Sequence, residues 1–390
     1  MRLLKNMEHV RLGSVCQKIG SGATPRGGDG VYIDAGTSII RSQNVYNGIF
    51  EPAGLAYLTE DHAEQLKGVT VESRDVLLNI TGDSVARCCQ VPDSVLPARV
   101  NQHVSIIRPN ERELLPEFLC YYLISPLMQK YLLSRAGSGG TRKALTKGMI
   151  EDFEIPKPSI VTQRKVVDTL SAYDDLIENN RRRIALLEQA ARLLYKEWFV
   201  HLRFPGHEHV KIKNGVPEGW EKKQVKAILA KVHRPGKVMK TDYLPAGLIP
   251  CVDQSQDFIG GYTDDEEAAI ANLPMIVFGD HTRILKFIDF PFACGADGTQ
   301  LIASNDAKIS QEFLYFALDA IDLSNYFYAR HFKFLKDQFI PRPNDMVVEQ
   351  FTHVVRPIMT QVKTLREQNH ELGEARDLLL PRLMNGEISV

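Results

Sequence analysis

Residues 166–198 read VVDTLSAYDDLIENNRRRIALLEQAARLLYKEW, and they decide how this chain of 390 residues is built. Intervals of four and three residues alternate through the positions Val166, Leu170, Tyr173, Ile177, Asn180, Ile184, Leu187, Ala191, Leu194 and Trp198. Most of these side chains are apolar, and an apolar period of 3.5 residues over about five heptads is typical of a coiled-coil seam. The stretch therefore predicts a long helix that pairs with another helix.

The partner is found 185 positions further along the chain. The same spacing there selects Phe351, Val355, Ile358, Val362, Leu365, Asn369, Leu372, Arg376, Leu379 and Leu383. A proline run precedes each helix, IPKP at 155–158 and IPRP at 340–343, with the same offset. Pro357 and Pro381 predict a kink or a late start in the second helix, because proline removes a helical donor. The whole chain is therefore read as a repeat.

A repeated chain that closes about a two-fold axis has helices that run antiparallel. Asn180 and Asn369 each place a polar residue in the seam, which is a known way to fix the register of paired helices. The first helix, over 161–199, is about 58 Å long at 1.5 Å per residue. A single amphipathic helix lying on a globular core is the alternative to this pairing.

Ahead of each helix lies a mixed segment in which short strand-like runs alternate with turns, as in TSIIRSQNVYNGIF and PMIVFGDH. Helical stretches are predicted near 116–134 and 310–328, where PEFLCYYL corresponds to QEFLYFAL. The predicted fold is α+β: two α+β domains separated by two long helices that pair as an antiparallel coiled coil, in a pseudo-two-fold repeat. Its segments are a first domain 1–160, a first spacer helix 161–200, a linker 201–215, a second domain 216–345, and a second spacer helix with a C-terminal tail 346–390.

Composition and motifs argue against a membrane protein and against an enzyme. No apolar stretch approaches the 18 residues of a membrane span, and no secretion signal is visible at the N-terminus. The six cysteines lack zinc-site spacing, which indicates reduced thiols and a cytoplasmic protein. Phosphate-loop, nucleophile-elbow, zinc-protease, dinucleotide and amino-methyltransferase motifs are all missing. We therefore expect no catalytic residue, metal or cofactor in this chain.

Basic runs occur at the same place in both copies, just before the proline run. No acidic residue occurs from Phe118 to Ile150, which holds Arg142, Lys143 and Lys147, or from Leu323 to Lys336, which holds Arg330, His331 and Lys333. Because the net charge is only −1, nucleic acid has to be bound through local patches of this kind. An ordinary solvated face is the alternative.

Polar clusters at turns are candidates for reading DNA bases, since arginine pairs with guanine and asparagine or glutamine pairs with adenine. Their predicted contact residues in the first copy are Arg41, Gln43, Asn44, Asn101, Gln102, His103 and Thr141. Those of the second copy are Gln254, Gln256, His281, Arg283 and Gln300. Each cluster has the alternative of being ordinary turn residues that cap strands.

Over nearly its full length the chain resembles the specificity subunits of bacterial type I restriction–modification enzymes. The matching stretches are NNRRRIALLEQAARLLYKEWF, HLRFPGHE, VPEGW and LLLPRLMNGEI, with looser matches in GSGATP, PARVNQHVSIIRP and the paired IPKP and IPRP. The resemblance implies two target-recognition domains, each reading one half of a bipartite, gapped site in double-stranded DNA. It also implies that the helices are an antiparallel spacer.

The resemblance further implies partner proteins: two methyltransferase subunits docked on the helices and domains, and a restriction or translocase subunit. S-adenosylmethionine, ATP and Mg are expected in those partners and not here. Base contacts vary with the target in such proteins, so the contact residues above rest on the turn clusters alone. Two other interpretations stay open, a coiled-coil scaffold that does not read DNA and a fused DNA methyltransferase or nuclease with unrecognised motifs.

Overall fold

A computed structural model describes residues 8–137, 143–213, 215–296, 298–326 and 330–388. By its internal contacts the chain divides into two compact units. Unit 1 comprises residues 1–178 and 369–390, and unit 2 comprises residues 179–368. Two long helices cross the division, so that each unit contains one end of each helix.

Helices and strands alternate along both copies. The helices are α1 (Glu60–Gln65), α2 (Pro116–Ile124), α3 (Pro126–Gly137), α4 (Lys147–Glu151), α5 (Ile160–Tyr195), α6 (Val225–Ile228), α7 (Gln311–Asp319), α8 (His331–Asp337) and α9 (Asp345–Met384). The strands of unit 1 are β1 (His9–Arg11), β2 (Cys16–Ser21), β3 (Thr37–Ile40), β4 (Val45–Tyr46), β5 (Ile49–Phe50), β6 (Ala56–Leu58), β7 (Thr70–Val71), β8 (Val76–Asn79), β9 (Cys88–Gln90), β10 (Ala98–Val100), β11 (Val104–Pro109) and β12 (Glu154–Pro156). Those of unit 2 are β13 (Ile212–Lys213), β14 (Val216–Pro217), β15 (Glu221–Gln224), β16 (Ile249–Val252), β17 (Gly261–Thr263), β18 (Ala269–Ile270), β19 (Met275–Gly279), β20 (Leu285–Ile288), β21 (Phe292–Cys294), β22 (Thr299–Ile302) and β23 (Phe339–Arg342).

The long helices α5 and α9 form the predicted seam, and every seam position named above is buried or partly buried. In unit 1, Val166 near the start of α5 shares a hydrophobic cluster with Leu383 near the end of α9. In unit 2, Ala191 near the end of α5 shares another cluster with Phe351 near the start of α9. Within each unit the two helices therefore run antiparallel, which confirms the predicted fold.

The second helix differs from the prediction at its prolines. It begins at Asp345 and includes both Pro357 and Pro381, so it has no late start, and the alternative of a kink stays a prediction. Pro357 and His353, whose carbonyl group it deprives of a helical donor, are both exposed residues of α9. The proline therefore lies away from the packed side of the helix.

The sheets of unit 1 combine a parallel strand pair with antiparallel neighbours. One sheet has the order β6-β3-β10-β7, in which β3 and β10 are parallel and the outer strands are antiparallel to them. A second sheet has the order β2-β11-β8-β9 and is antiparallel throughout. The helix α2 packs over this second sheet, and their apolar faces form one core with the ends of α5 and α9.

Unit 2 repeats this arrangement. Its sheet β17-β16-β21-β18 again has a parallel central pair, β16 with β21, and its sheet β20-β19-β22 is again antiparallel. Each unit also has a two-stranded sheet that joins a strand near its start to its last strand, β1 with β12 and β15 with β23. The paired proline runs lie at the ends of β12 and β23, which explains why they occur twice.

The smaller helices also correspond between the units. The predicted stretch near 116–134 contains α2 and α3, while the stretch predicted near 310–328 is helical only as far as Asp319. Beyond it, the Asp322 carboxylate accepts a hydrogen bond from the backbone N–H of Ser324 at 2.8 Å, a local turn that competes with the helix. Among the described residues, no helix is both long enough and apolar enough to cross a membrane.

Candidate nucleic-acid interface

Three loops of unit 1 converge at one edge of its sheets. Parallel strands end at the same edge, so the loop after β3 meets the loop after β10, and the backbone N–H of Asn101 donates to the carbonyl of Ile40 at 3.0 Å. The side-chain amide of Asn79, at the end of β8, donates to the carbonyl of Ser42 at 2.8 Å. The two predicted clusters Arg41–Asn44 and Asn101–His103 are thereby brought beside the turn that follows β8.

The loops enclose a cleft of about 450 Å³. It is lined by Ser42, Gln43, Tyr46, Thr81, Gly82, Asp83, Ser84, Arg87 and His103. The imidazole Nδ1 of His103 lies 2.6 Å from the Thr81 hydroxyl, and its Nε2 lies 3.0 Å from the side-chain nitrogen of Gln102. The Arg87 guanidinium lies over the Tyr46 ring, 4.6 Å from its centroid. The cleft thus presents hydrogen-bond donors and acceptors beside one exposed aromatic ring, that of Tyr46.

The first basic run reaches this cleft. The backbone N–H of Gly82 donates to the carbonyl of Lys143 at 3.1 Å, and the Lys143 side chain is exposed. Lys147, in α4, is also exposed and pairs with Glu151 at 3.5 Å. The predicted contacts Thr141 and Arg142 lie outside the residues that the structure describes. Among the basic residues of this run that the structure describes, Lys143 is therefore the one whose backbone is hydrogen-bonded to a loop of the cleft.

Three of the predicted base contacts in unit 1 make hydrogen bonds within the unit. The amide of Asn44 is fully buried, and it donates to the carbonyls of Glu51 and Ala53 while its oxygen accepts from the backbone N–H of Arg41. Asn101 is buried and accepts from the backbone N–H of His103 at 3.1 Å. The Arg41 guanidinium donates to the Gly54 carbonyl at 2.6 Å.

These side chains hold the loops in place, and Asn44 and Asn101 do so as buried polar groups, which need partners within the fold. The interpretation of Asn44 and Asn101 as base contacts is therefore wrong, whereas Arg41 is only partly buried and stays a predicted contact. Gln43 and Gln102 are exposed and His103 is half-buried, so that these three remain accessible to a ligand.

Unit 2 brings its own three loops together in the same way. The backbone N–H of Gly295, after β21, donates to the carbonyl of Val252 at 2.9 Å, as Asn101 does in unit 1. The Thr282 hydroxyl, in the turn after β19, donates to the carbonyl of Gln254 at 2.7 Å. The Gln254 side-chain oxygen accepts from the backbone N–H of His281 at 3.1 Å. The clusters at 253–256 and 280–283 therefore occupy the places that 41–44 and the turn after β8 occupy in unit 1.

The accessible side chains of unit 2 are a subset of those predicted. Gln256, His281, Arg330 and Lys333 are exposed. Arg283 is exposed as well, but its guanidinium donates to the Leu323 carbonyl at 3.1 Å. Gln300 is half-buried and accepts from the Arg234 guanidinium at 3.1 Å. Gln256 and His281 are thus the cluster residues that present a side chain most freely.

His331 is the clearest correction in unit 2. Its imidazole is buried, and its two ring nitrogens lie 2.9 Å from the carbonyl oxygens of Asp280 and Tyr326. The Asp280 carboxylate also accepts from the backbone N–H of Phe332 at 2.8 Å. His331 therefore joins the start of α8 to the turn after β19, and its interpretation as a DNA contact is wrong because the imidazole is buried.

A buried lysine anchors the loop that carries Gln254 and Gln256. The Lys286 ammonium, on β20, donates to the carbonyls of Asp253 at 2.8 Å and Asp257 at 2.5 Å. Burial lowers the pKa of Lys286, and the charges of Asp253 and Asp257 offset this only in part. Burial also acts to raise the pKa of Asp253, but hydrogen bonds from Ser255 and the charge of Lys286 outweigh it and leave that pKa below its usual value. Hydrogen bonds from the Lys286 ammonium therefore hold both ends of the segment 253–257.

Sequence reasoning missed several residues that line the unit 1 cleft, among them Tyr46, Thr81 and Arg87. The repeat could have identified the turn after β8. That turn corresponds to the cluster Asp280–Arg283, which was predicted to contact DNA in the second copy. The cation–π pair of Arg87 with Tyr46 had no such signal in the sequence, because the two residues lie 41 positions apart in the chain. Within the described part of the chain, no group of three or more His, Cys, Asp or Glu side chains is placed to hold a metal ion.

Comparisons with known proteins agree on one family. The family model described as type I restriction modification DNA specificity domain matches residues 4–189. The chain is similar to the MjaIX specificity subunit of Methanocaldococcus jannaschii, with 26% identity over 320 residues that cover 75% of this chain and 74% of the relative. It is 22% identical over 357 residues to the MjaVIII specificity subunit of the same organism, covering 83% of this chain and 81% of the relative. The crystal structure of a type I restriction–modification S subunit from M. genitalium shares the fold, with a TM-score of 0.57, 15% identity and 98% coverage of both chains.

Proposed function

Because this chain belongs to the family of type I restriction–modification specificity subunits, which are non-catalytic, we propose that it reads a bipartite, gapped site in double-stranded DNA, one half-site with each unit. The observation that carries the proposal is the repeat of three converging loops. Their residues differ between the units, Arg41-Ser42-Gln43-Asn44 in one and Asp253-Gln254-Ser255-Gln256 in the other. Equal frames with different side chains suit two half-sites of different sequence.

The accessible side chains divide into two roles. Gln43, Gln102 and His103 in unit 1, with Gln254, Gln256 and His281 in unit 2, are proposed to contact base edges. Amide and imidazole groups offer the paired donors and acceptors that such contacts require. The exposed lysines and arginine of the basic runs, Lys143, Lys147, Arg330 and Lys333, are proposed to contact phosphates, which sets position and affinity without sequence preference.

The partner proteins are proposed from exposed apolar residues at equivalent positions of the long helices. Val161 and Met346, 185 positions apart, are 69% and 62% exposed, and Leu193 and Leu378 form a second such pair at 54% and 71%. Val161 and Leu378 belong to unit 1, and Leu193 and Met346 belong to unit 2. Each unit therefore offers the same two positions, which suits two copies of one partner.

We assign these copies to two methyltransferase subunits, with a restriction or translocase subunit joining the complex. S-adenosylmethionine, ATP and Mg are proposed to be bound by those partners, in the cytoplasm where host DNA is modified. The chain itself then determines the DNA site at which these subunits act.

Replacing Gln43 by alanine should relax sequence preference at one half-site. Loss of a bidentate base contact is expected to reduce discrimination by about 1–3 kcal/mol at one or two base pairs. The measurement is competition binding by the complex with its methyltransferase subunits, using duplexes in which every base pair of both half-sites is varied in turn. Gln256→Ala is the matched control and should relax the other half-site. Equal weakening on all duplexes would show that these glutamines do not read bases.

Replacing Lys143 by alanine should weaken binding to all duplexes alike. Loss of one phosphate contact is expected to reduce the slope of log affinity against log salt by about 0.9. Titrations at several salt concentrations measure that slope, and Lys67→Ala is the control because Lys67 pairs with Glu64 and does not line the cleft. A changed base preference in the Lys143 variant would overturn its assignment to phosphate.

A further inference from the structure

Arg366 of α9 joins the paired helices to the loop that carries the base contacts of unit 2. Its guanidinium carbon lies 3.9 Å from the centroid of the Phe258 ring. Its Nη2 lies 2.6 Å from a carboxylate oxygen of Glu188 on α5. One side chain therefore pairs with the neighbouring helix through its edge and with an aromatic ring through its face. Only arginine combines a planar face with several donors at the edge.

Phe258 belongs to the loop between β16 and β17, at 253–260, which also carries Gln254 and Gln256. The ring of Phe258 packs at 5.9 Å from the ring of Phe290 and lies against the apolar cluster that includes Val252. Phe258 is therefore a partly buried anchor of a loop in which Gln256 and Asp257 are exposed. Lys286 holds the same loop from the sheet, through the carbonyls of Asp253 and Asp257.

The guanidinium of Arg366 is largely shielded from water. Its side chain is 29% exposed, and burial lowers its pKa, an effect that the charge of Glu188 opposes. A cation that is partly removed from water interacts more strongly with an aromatic face than an exposed one. The contact with Phe258 therefore links α9 to the loop.

We propose that Arg366 is a positioning residue for DNA specificity, which fixes the loop 253–260 so that Gln254 and Gln256 meet base edges in a set geometry. This inference rests on the proposed function. Base-edge hydrogen bonds tolerate little misplacement, and a loop that is ordered before binding does not lose freedom on binding. Arg366 acts through Phe258 and does not itself contact DNA.

The first copy supplies a matched comparison. Arg181 stands 185 positions before Arg366, at the equivalent place on α5, and its side chain is exposed. Arg181→Lys and Arg366→Lys make the same chemical change, which keeps the charge and removes the planar face. A difference between them reports the contacts of Arg366 with Phe258 and Glu188, and Phe258→Leu separates the two.

The experiment measures binding of the complete specificity subunit, assembled with its methyltransferase subunits, to cognate duplexes and to duplexes altered in either half-site. For Arg366→Lys we expect affinity for the cognate duplex to fall about tenfold. Discrimination should fall at the half-site affected by Gln256→Ala and stay unchanged at the other. Affinity for unrelated DNA and its salt dependence should not move, and Arg181→Lys should match the unchanged chain.

Phe258→Leu keeps an apolar side chain at this position and removes the aromatic ring, so it should reproduce the effect of Arg366→Lys. The double variant should be no weaker than either single variant, because both act through one contact. Full cognate affinity in Arg366→Lys, equal loss at both half-sites, or additive single effects would each overturn the inference. A failure of the proposed function is distinguishable, since the unchanged chain would then show no half-site preference.

Discussion

Replacing Phe351 by alanine should lower the free energy of unfolding of unit 2 by about 3–5 kcal/mol, the usual loss for truncating a fully buried phenylalanine. Its ring lies with its centroid between 5.1 and 6.2 Å from the rings of Tyr195, Trp198, Phe199, Phe313 and Phe316. These rings come from the end of α5, from α7 and from the residues after α5, so a single side chain ties both long helices to the second domain. A cavity there removes contacts from three elements at once.

Tryptophan fluorescence during chemical unfolding measures this change directly. The chain has two tryptophans, Trp198 and Trp220, and both lie in the same cluster as Phe351. The midpoint of the fluorescence transition should therefore fall steeply in Phe351→Ala. DNA binding at the half-site of unit 2 should weaken over the same range of denaturant.

Val166→Ala is the matched control, since Val166 stands at the equivalent position, 185 residues earlier, in the core of unit 1. It removes two buried methyl groups, for an expected loss of about 2 kcal/mol. Because no tryptophan belongs to that core cluster as described, the fluorescence midpoint should stay nearly unchanged while the helical circular-dichroism signal shifts. A loss below about 1 kcal/mol in Phe351→Ala would contradict the central role given to this ring.

The long helices were the most predictable part of the fold. Their period repeats over many turns, and the seam positions of both copies are buried or partly buried as expected. The periodicity is a local property of the sequence, so it can be read without knowledge of the rest of the chain. The start of the second helix was less predictable, because whether a helix can include Pro357 depends on how α9 packs.

The order of the strands in each sheet could not be predicted from the sequence. The parallel pair β3 with β10 joins Ser38 to Ala98, and the equivalent pair β16 with β21 joins Cys251 to Ala293. Such pairs are made by residues far apart in the chain, and short alternating runs do not identify their partners. The sequence showed that the chain repeats, but it did not show which strands pair within each repeated sheet.

The candidate site shows the same limit at the level of single residues. Gln43 and Asn44 are neighbours with similar amide groups, yet one is exposed and the other is fully buried. His331 belongs to a basic run, but it is buried because the carbonyl of Asp280, 51 residues away, lies against it. Turn chemistry identifies which segments form the loops. Only the packing of distant strands decides which side chains of a loop face outward.

Exchanging a whole domain should change one half-site completely and leave the other as it was. Specific sites are bound about 10³–10⁷ times more tightly than unrelated DNA, so transfer of one reading surface is expected to shift half-site preference by a large part of that ratio. The structure places the cuts, because β1 pairs with β12 and β15 pairs with β23. An exchanged segment therefore has to run from β1 through β12, over 8–157, or from β15 through β23, over 221–342.

A shorter segment that ends at residue 150 would separate β1 from its partner β12 and would divide α4. It would also leave Phe153 and Ile155, which are fully buried, facing a foreign core. We expect that exchange to lower stability without transferring specificity cleanly. Comparison of the 1–150 and 8–157 exchanges therefore tests the boundary as well as the function.

The two exchanges are controls for each other. Each is made with the matching segment of a related specificity subunit, and the products are assayed by mapping methylated sites in cells that make the methyltransferase subunits. Replacement of 8–157 should change the half-site relaxed by Gln43→Ala, and replacement of 221–342 should change the half-site relaxed by Gln256→Ala. Each domain core is completed by side chains of α5 and α9, such as Val166 in unit 1 and Phe351 in unit 2. Donor subunits with a small apolar residue at the position of Val166 and a large one at the position of Phe351 should therefore transfer best. An intact complex in which both half-sites changed would rule out one reading surface per unit.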